Sequence, residues 1–264
     1  MEGTKKKVVV AYSGGLDTSY TVMYLAKELG YEVYAACADT GGFSPAQLKA
    51  NEENAYKLGA KHYVTLDVTQ EYYAKSLKYM IYGNVLRNGT YPISVSSERI
   101  FQAIAIARYA NEVGADAIAH GSTGAGNDQV RFEVSISSID PTLRAISPIR
   151  DLSLTRDVEI AFAKEHKLPI TQTEKSPYSI DQNVWGRAIE TGFLEDPWNG
   201  PTKDCYSYTD DPAFPPVEDE VVIEFKEGVP VKIDGRDVTP LQAIEEMNRR
   251  AGAQGIGRID LIED

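Results

Sequence analysis

The sequence predicts a doubly wound parallel-sheet α/β domain followed by a smaller α+β domain. Short runs of β-branched and small apolar residues alternate with amphipathic segments up to about residue 169. This alternation indicates parallel strands joined by right-handed helical crossovers. A glycine turn separates the first apolar run from the first amphipathic segment. With 264 residues and a hydrophobic content of 42%, the chain can bury the core of such a sheet.

The strands and helices of the first domain are expected in regular alternation. The predicted strands cover residues 7–12, 31–38, 62–66, 115–120 and 144–147. The predicted helices cover residues 20–29, 45–58, 69–80, 97–113 and 157–166. Parallel sheets bind ligands beyond the carboxyl ends of their strands. The loops that follow Tyr12, Ala38 and His120 should therefore line one crevice.

The composition changes after residue 169, where a second domain is expected to begin. Residues 176–216 are rich in Pro, Asp, Trp and Tyr and show weak periodicity. The elements predicted beyond them are a hairpin of residues 220–225 and 229–233, a helix at 239–250 and a strand at 257–262. Because this last strand opens so close to the final residue, the second domain is expected to be C-terminally incomplete. The expected domains are 1–170 and 171–264.

The composition argues against several classes of protein. Lys and Arg number 27 against 39 Asp and Glu, which gives a net charge of -12 that repels nucleic acid backbones. Cys37 and Cys205 are too few for a zinc cluster or a disulfide framework, which is typical of a reducing cytoplasm. The apolar run at residues 8–11 is far shorter than the roughly 20 residues that cross a bilayer. We therefore expect a cytoplasmic protein that binds small molecules, and neither nucleic acid nor membrane.

The turn after the first strand has the pattern of a phosphate-binding loop, Ser13-Gly14-Gly15-Leu16-Asp17-Thr18-Ser19. Its glycines let the backbone approach phosphate oxygens, its hydroxyls add donors, and the following helix turns its positive end outward. No lysine follows the glycines, so this is not a Walker A loop. Asp17 would repel a bare phosphate but suits Mg²⁺, so the loop predicts a magnesium-bound nucleotide. The alternative is that Ser13 or Asp17 only caps the helix.

This pattern resembles the pyrophosphate loop of the N-type ATP pyrophosphatases, whose fold is of the adenine nucleotide alpha hydrolase type. Two further motifs follow in order, at residues 120–133 and 178–183, and with them the chain from residue 7 to 264 is similar to the argininosuccinate synthetases. The resemblance implies an enzyme of arginine biosynthesis. Such an enzyme joins citrulline and aspartate to argininosuccinate, using ATP with Mg²⁺ and releasing AMP and pyrophosphate through a citrullyl-adenylate. For a complete family member, the resemblance also implies a homotetramer. No dedicated metal-binding residues are expected, since the three histidines are scattered along the sequence.

The resemblance assigns ligands to individual residues. ATP would contact Ala11, Tyr12, Ser13, Gly14, Gly15, Leu16, Asp17, Thr18, Ser19, Ala38 and Gly121, with Ser13 and Asp17 as the catalytic residues, which act by positioning. Aspartate would contact Thr123, Asn127 and Asp128. Citrulline would contact Tyr91, Ser96, Asn127, Arg131, Ser179 and Glu263. Without the resemblance, the first interpretation of the polar residues after His120 would be Asx turns and a surface salt bridge.

Three positions depart from the commoner pattern of that family. Val95 stands where threonine is usual, Ala125 where lysine is usual, and Ala188 where some members have a citrulline-binding serine. The family's C-terminal part, with the helix that ties subunits together, is expected to be missing. We therefore expect the chain to bind nucleotide but to catalyse the reaction poorly or not at all. Two alternatives remain open: a non-catalytic nucleotide-binding fragment, and an ATP pyrophosphatase that uses a different acceptor.

Overall fold

The computed structural model describes residues 5–124, 126–165, 178–209 and 218–261. Two compact units make up the chain. The first contains residues 5–68 and 96–165, and the second contains residues 69–95 and 178–261. The expected domains, 1–170 and 171–264, differ in where they put residues 69–95, and the domain boundary stays a prediction. Within the described ranges, no helix is both long and apolar enough to cross a bilayer.

The first unit is built on a five-stranded parallel sheet, which confirms the predicted fold class. Its strands are β1 (Lys7–Ala11), β2 (Glu32–Asp39), β3 (His62–Asp67), β4 (Ala117–Ala119) and β5 (Arg144–Ile146). Their order in the sheet is β3-β2-β1-β4-β5, and every pair is parallel. The chain therefore builds outward from β1 in one direction and then in the other. The carboxyl ends of β1 and β4 form the switch point at which such sheets bind ligands.

Helices connect these strands. They are α1 (Leu16–Met23), α2 (Pro45–Leu58), α3 (Thr69–Tyr72), α4 (Lys78–Tyr82), α5 (Ser97–Val113), α6 (Asp128–Ile139), α7 (Pro148–Asp151) and α8 (Arg156–Glu165). A π-helical turn at Tyr24–Glu28 continues α1, and another at Tyr73–Leu77 joins α3 to α4. Helices α3 and α4 belong to the second unit. The bounds of α2 and α5 are those the sequence predicts.

Alternate residues of β1 reach two different hydrophobic cores. Val8 and Val10 pack with Leu58 of α2 and the buried side chains of α1. Val9 points to the other face and packs with Ile106 of α5 and the buried residues of α6. All three valines are completely buried, and each such side chain contributes about 1.5–3 kcal/mol to stability. Both faces of the sheet are therefore covered, and its binding edge is left at the strand ends.

Helix α6 is an element that the sequence pattern does not predict. No helix is expected between the predicted strands at residues 115–120 and 144–147, but the residues from Asp128 to Ile139 form one. Phe132 and Ile136 lie one turn apart and are buried against the sheet. Parallel strands such as β4 and β5 need a crossover, and a crossover is usually helical. The loop proper is therefore limited to the residues between β4 and α6.

The second unit is described by itself. It holds a hairpin of β6 (Ser179–Gln182) and β7 (Arg187–Glu190), a three-stranded antiparallel sheet of β8 (Ile223–Lys226), β9 (Val229–Ile233) and β10 (Arg236–Asp237), and the helix α9 (Pro240–Ala253). The predicted hairpin at 220–225 and 229–233 is present as β8 and β9. The strand predicted from residue 257 is wrong over 257–261, which form no strand.

Candidate active site

The loop that joins β1 to α1, residues 13–19, is called the first loop here. Gly14 has φ +82°, a conformation in which a side chain is strained. Gly15 is the N-cap of α1, and no side chain caps the helix. The alternative in which Ser13 or Asp17 serves as the helix cap therefore does not occur. The amide groups at the start of α1 remain suited to an external anion.

The hydroxyl groups of the first loop are only weakly engaged within it. Ser13 Oγ lies 3.3 Å from Thr18 Oγ1. Thr18 Oγ1 donates to Gly15 O at 3.3 Å, and the Ser13 N–H donates to Thr18 Oγ1 at 3.4 Å. Hydrogen bonds of hydroxyl groups are normally 2.5–3.0 Å long, so these contacts are weak. A phosphate group could replace them at little cost.

Several residues predicted to contact ATP are buried, so only their backbone can serve. Tyr12 is 2% exposed and Leu16 is 3% exposed, and Tyr12 packs edge-on against Tyr63. The Tyr12 N–H continues the sheet by donating to Ala36 O at 2.9 Å. Ala38 is likewise buried, at the carboxyl end of β2. The sequence resemblance identified these positions without distinguishing backbone from side-chain contacts.

The loop that joins β4 to α6, taken together with the first residue of α6, is called the second loop here (residues 121–128). Its first residue, Gly121, lies directly against the first loop. A Cβ on Gly121 would lie 3.0 Å from Thr18 Cγ2 and 3.1 Å from Asp17 Cβ. The structure therefore brings the two predicted loops together, as their place at neighbouring strand ends requires, and it explains the glycine.

Asp128, the first residue of α6, is held by two arginine side chains. Arg99 Nε donates to its Oδ2 at 3.1 Å, and Arg131 donates to its Oδ1 at 2.7 Å. Asn127 is the N-cap of α6 and makes no side-chain cap bond. The structure thus brings together Asn127, Asp128 and Arg131. Arg99 comes from α5 and could not be predicted from the sequence, because no local pattern marks it.

A network of side chains fixes the backbone of the second loop. Ser147 Oγ donates to Ser122 O at 2.6 Å, and Gln129 Nε2 donates to Gly124 O at 2.8 Å. Arg150 in turn donates to Gln129 Oε1 at 3.1 Å and to Glu133. These supporting side chains lie on α6 and on the segment after β5, and no pattern in the sequence predicts them.

His120, the residue directly before the second loop, also supports that loop. Its Nδ1 accepts the Ser122 N–H at 3.3 Å, and its Nε2 lies 3.6 Å from Glu133 Oε1. The side chain is buried, and this burial lowers the pKa of the imidazole, whereas the nearby Glu133 carboxylate opposes the shift. A neutral imidazole is the form that can accept the Ser122 N–H.

The residues predicted for citrulline are distributed over both units. Ser96, the N-cap of α5, has φ +132° and ψ -57°, a strained conformation of the kind that concentrates at functional sites. In the second unit, the Tyr91 hydroxyl accepts the Val95 N–H at 3.1 Å. The Ser179 N–H at the start of β6 donates to Thr191 Oγ1 at 3.0 Å. Glu263 lies outside the described residues. The same is true of Ala125, whereas Ala188 lies in β7 opposite Asp181.

The donor groups of the first loop suit a magnesium ion that arrives with a nucleotide. Among the described residues, no three side chains of His, Cys, Asp or Glu group together as a metal site. Asp17 is a single, partly exposed carboxylate in the first turn of α1. Mg²⁺ is typically held by one or two carboxylates together with substrate phosphates. Asp17 therefore fits this arrangement.

The sheet, its switch point and the uncapped glycine loop define a nucleotide-binding α/β domain joined to a second unit. Comparison with known families agrees with this class. A model for the arginosuccinate synthase N-terminal HUP domain matches residues 7–169. A model for the arginosuccinate synthase C-terminal domain matches residues 178–264. The chain therefore belongs to the argininosuccinate synthase family. Members of this family are ATP-dependent ligases of arginine biosynthesis. The resemblance found in the sequence is thus confirmed.

Proposed function

We propose that the chain joins citrulline and aspartate to form argininosuccinate, with cleavage of ATP to AMP and pyrophosphate through a citrullyl-adenylate. The first loop carries this proposal. It combines a left-handed glycine, a helix start without a side-chain cap and a carboxylate suited to Mg²⁺. The second loop, rich in polar groups that suit an amino acid, lies against it at Gly121.

In the first half of the reaction, the loop amides and the hydroxyls of Ser13 and Thr18 hold the pyrophosphate portion of ATP. The ureido oxygen of citrulline attacks the α-phosphorus, an oxygen–phosphorus bond forms, and pyrophosphate leaves. Because an amide-like oxygen is a weak nucleophile, alignment and stabilisation of the leaving group must supply the rate. Mg²⁺ bound beside Asp17 would offset the charge that develops on the pyrophosphate.

In the second half, the amine of aspartate attacks the activated ureido carbon. A carbon–nitrogen bond forms, the bond from that carbon to the AMP oxygen breaks, and the amine proton is released. Thr123, Asn127 and Asp128 offer a hydroxyl, an amide and a carboxylate for a zwitterionic amino acid. For Asp128 to meet the aspartate ammonium, it must give up part of its pairing with Arg99 and Arg131. Arg131 would then be able to meet a substrate carboxylate.

The finer assignments belong to the same proposal. The roles of Tyr91, Ser96, Ser179 and Glu263 toward citrulline stay predictions from the resemblance. A homotetramer, also implied by the resemblance, and a cytoplasmic location, expected from the low number of cysteines, stay predictions as well. Each of the described residues in this group can be tested by its own substitution, with the Michaelis constant for citrulline as the readout.

The test follows one oxygen atom. Citrulline labelled with ¹⁸O in its ureido group is incubated with the chain, Mg²⁺, ATP and aspartate. The proposed route transfers the label to the phosphate of AMP and releases pyrophosphate only when citrulline is present. Pyrophosphate release that does not need citrulline would favour a different acceptor. ATP binding without citrulline binding would favour a non-catalytic nucleotide-binding fragment.

A further inference from the structure

Asn51, a residue of α2, lies against the first loop. Its Nδ2 donates a hydrogen bond to Ser13 O at 3.2 Å. A Cβ built on Gly14 would lie 2.1 Å from Asn51 Oδ1 and 2.7 Å from Asn51 Cγ. The Asn51 side chain therefore occupies the space beside the glycine and binds the preceding carbonyl. Nothing in the pattern of the first loop predicts a contribution from α2.

The hydrogen bond from Asn51 fixes the direction of a peptide group in the loop. A trans peptide is planar, so the C=O of Ser13 and the N–H of Gly14 point in opposite directions. Because Asn51 holds the Ser13 oxygen toward α2, the Gly14 N–H is turned away from α2. A carbonyl oxygen that faced a phosphate would repel it, whereas an N–H group attracts it.

Asn51 stands on a rigid support. Helix α2 begins with a capping box in which Ser44 and Gln47 satisfy each other's backbone groups, and Pro45 follows the cap. Farther along, Ala55 and Leu58 are buried in the core below the sheet. The Asn51 side chain also contacts the Cys37 thiol of β2, and burial raises the pKa of that thiol to about 11, so it is uncharged at neutral pH. The hydrogen bond to Ser13 O is the contact that fixes the direction of the amide.

We propose that Asn51 is a positioning residue of the first loop, which holds the Ser13 carbonyl toward α2 so that the loop amides face the pyrophosphate portion of ATP. This inference rests on the proposed role of the loop in ATP binding. Asn51 itself touches no reacting atom. It acts through the Ser13–Gly14 peptide, so its loss should weaken nucleotide binding and leave the affinity for aspartate unchanged.

Three variants test the proposal. Asn51→Ala removes the donor, and Asn51→Asp replaces it with an oxygen that repels both the Ser13 carbonyl and the phosphates. Asn54→Ala makes the same chemical change as the first variant three residues farther along α2, at a side chain that has no hydrogen bond to the described residues of the first loop, and serves as the control. Titration calorimetry measures the binding of Mg-ATP and of magnesium pyrophosphate. Initial rates give the Michaelis constants for ATP and aspartate, and the melting temperature reports on folding.

We expect Asn51→Ala to weaken the binding of both ATP and pyrophosphate about tenfold, as the loss of one directing hydrogen bond allows. Asn51→Asp should weaken it further. The Michaelis constant for aspartate and the melting temperature should stay at the values of the Asn54→Ala control. Wild-type affinity for pyrophosphate in both Asn51 variants would overturn the inference. A parallel loss of aspartate affinity and melting temperature would also overturn it, because it would indicate a purely structural role.

The two proposals can fail separately. If pyrophosphate binds and depends on Asn51 but no argininosuccinate is formed, the positioning role stands and the proposed reaction is wrong. If argininosuccinate is formed with unchanged ATP affinity in both variants, the reaction stands and the positioning role is wrong. A wild-type chain that binds neither ATP nor pyrophosphate would overturn both.

Discussion

The two loops at the switch point are prepared for their ligands in opposite ways. In the first loop, the contacts among Ser13, Gly15 and Thr18 are 3.3–3.4 Å long. In the second loop, the carbonyls of Ser122 and Gly124 accept bonds of 2.6 and 2.8 Å, and Asp128 carries two arginine contacts of 2.7 and 3.1 Å. The hydroxyl groups of the first loop make only long, weak hydrogen bonds, so the loop is free to bind a ligand in its present shape. In the second loop, the Asp128 carboxylate is already paired with two arginines.

This difference has a consequence for binding. A ligand of the first loop has few internal bonds to replace, so its affinity depends on the fixed shape of the backbone. A ligand of the second loop must exchange existing ion pairs for new ones, and the net gain of each exchange is small. Substitutions that change backbone shape should therefore affect nucleotide binding most, and substitutions of charged groups in the second loop should have smaller effects.

The largest effect is expected for Gly14→Ala. A side chain at φ +82° is strained, and its Cβ would collide with Asn51 Oδ1. We expect the affinity for Mg-ATP, measured by calorimetry, to fall by more than about 100-fold. The matched change is Gly126→Ala in the second loop. There φ is +76°, but a Cβ would meet no described atom within 4 Å. If both variants lost ATP affinity equally, the affinity for ATP would not depend specifically on the backbone shape of the first loop.

The next effect concerns the carboxylate of the first loop. Asp17→Asn keeps the shape of the side chain but removes the charge that suits Mg²⁺. We expect citrulline-dependent pyrophosphate release to slow about 50-fold, and the Mg²⁺ concentration for half-maximal rate to rise, because a charge-assisted contact contributes roughly 1.5–3 kcal/mol. An unchanged rate at limiting Mg²⁺ would show that the loop has been assigned to the wrong ligand.

A smaller effect is expected in the second loop. Asp128→Asn should raise the Michaelis constant for aspartate about tenfold and leave that for ATP unchanged, since the asparagine loses the attraction for an ammonium group but keeps the shape. Asp140→Asn provides the control at the other end of α6, where the carboxylate accepts bonds from Thr142. Steady-state kinetics with each substrate varied in turn measures the Michaelis constants for aspartate and ATP separately. A rise in the ATP constant of Asp128→Asn would contradict the division of labour between the loops.

The sequence predicted the sheet well because each of its signals is local. Helices α2 and α5 have the predicted bounds, since Pro45 marks one start and Gly59 and Gly114 end the helices in the left-handed conformation. Helix α6 was missed because its sequence is rich in serine, valine and isoleucine, which favour helices weakly. Only the need for a crossover between β4 and β5 would have revealed it.

The same limit applies to the candidate site. The glycine turn of the first loop could be found because strand, turn and helix follow each other directly in the chain. Arg99, Ser147 and Arg150 could not be found, since they reach the second loop from α5 and from the segment after β5. A sequence shows which groups stand on one loop, but it does not show which distant side chains neutralise them. The ligands assigned to individual residues stay predictions.

The smallest effect should be a pH dependence of stability and of aspartate binding that arises from His120, which supports the second loop. Burial lowers the pKa of His120 below its ordinary value of 6.5, although Glu133 and Asp151 oppose the shift and Arg150 adds to it. The unfolded chain therefore takes up the proton first as the pH falls. The contribution of neutral His120 to stability is complete above about pH 6.5 and is lost progressively below it. Protonation also removes the acceptor of the Ser122 N–H.

We therefore expect the wild-type melting temperature to fall more between pH 8 and pH 5.5 than that of His120→Gln, by a few degrees at most. Because the native pKa of His120 is lowered, the native imidazole takes up its proton only below pH 6.5. From there downward, the Michaelis constant for aspartate should rise in the wild type while that for ATP stays constant. His62→Gln removes an exposed imidazole at the far end of β3 and should reproduce the wild-type profile. If His62→Gln and His120→Gln had the same pH profile, buried His120 would not be the group that links proton uptake to the second loop. If the Michaelis constant for ATP rose together with that for aspartate, the protonation of His120 would affect both loops. The proposed difference between a first loop of fixed backbone shape and a second loop with paired charges would then be wrong.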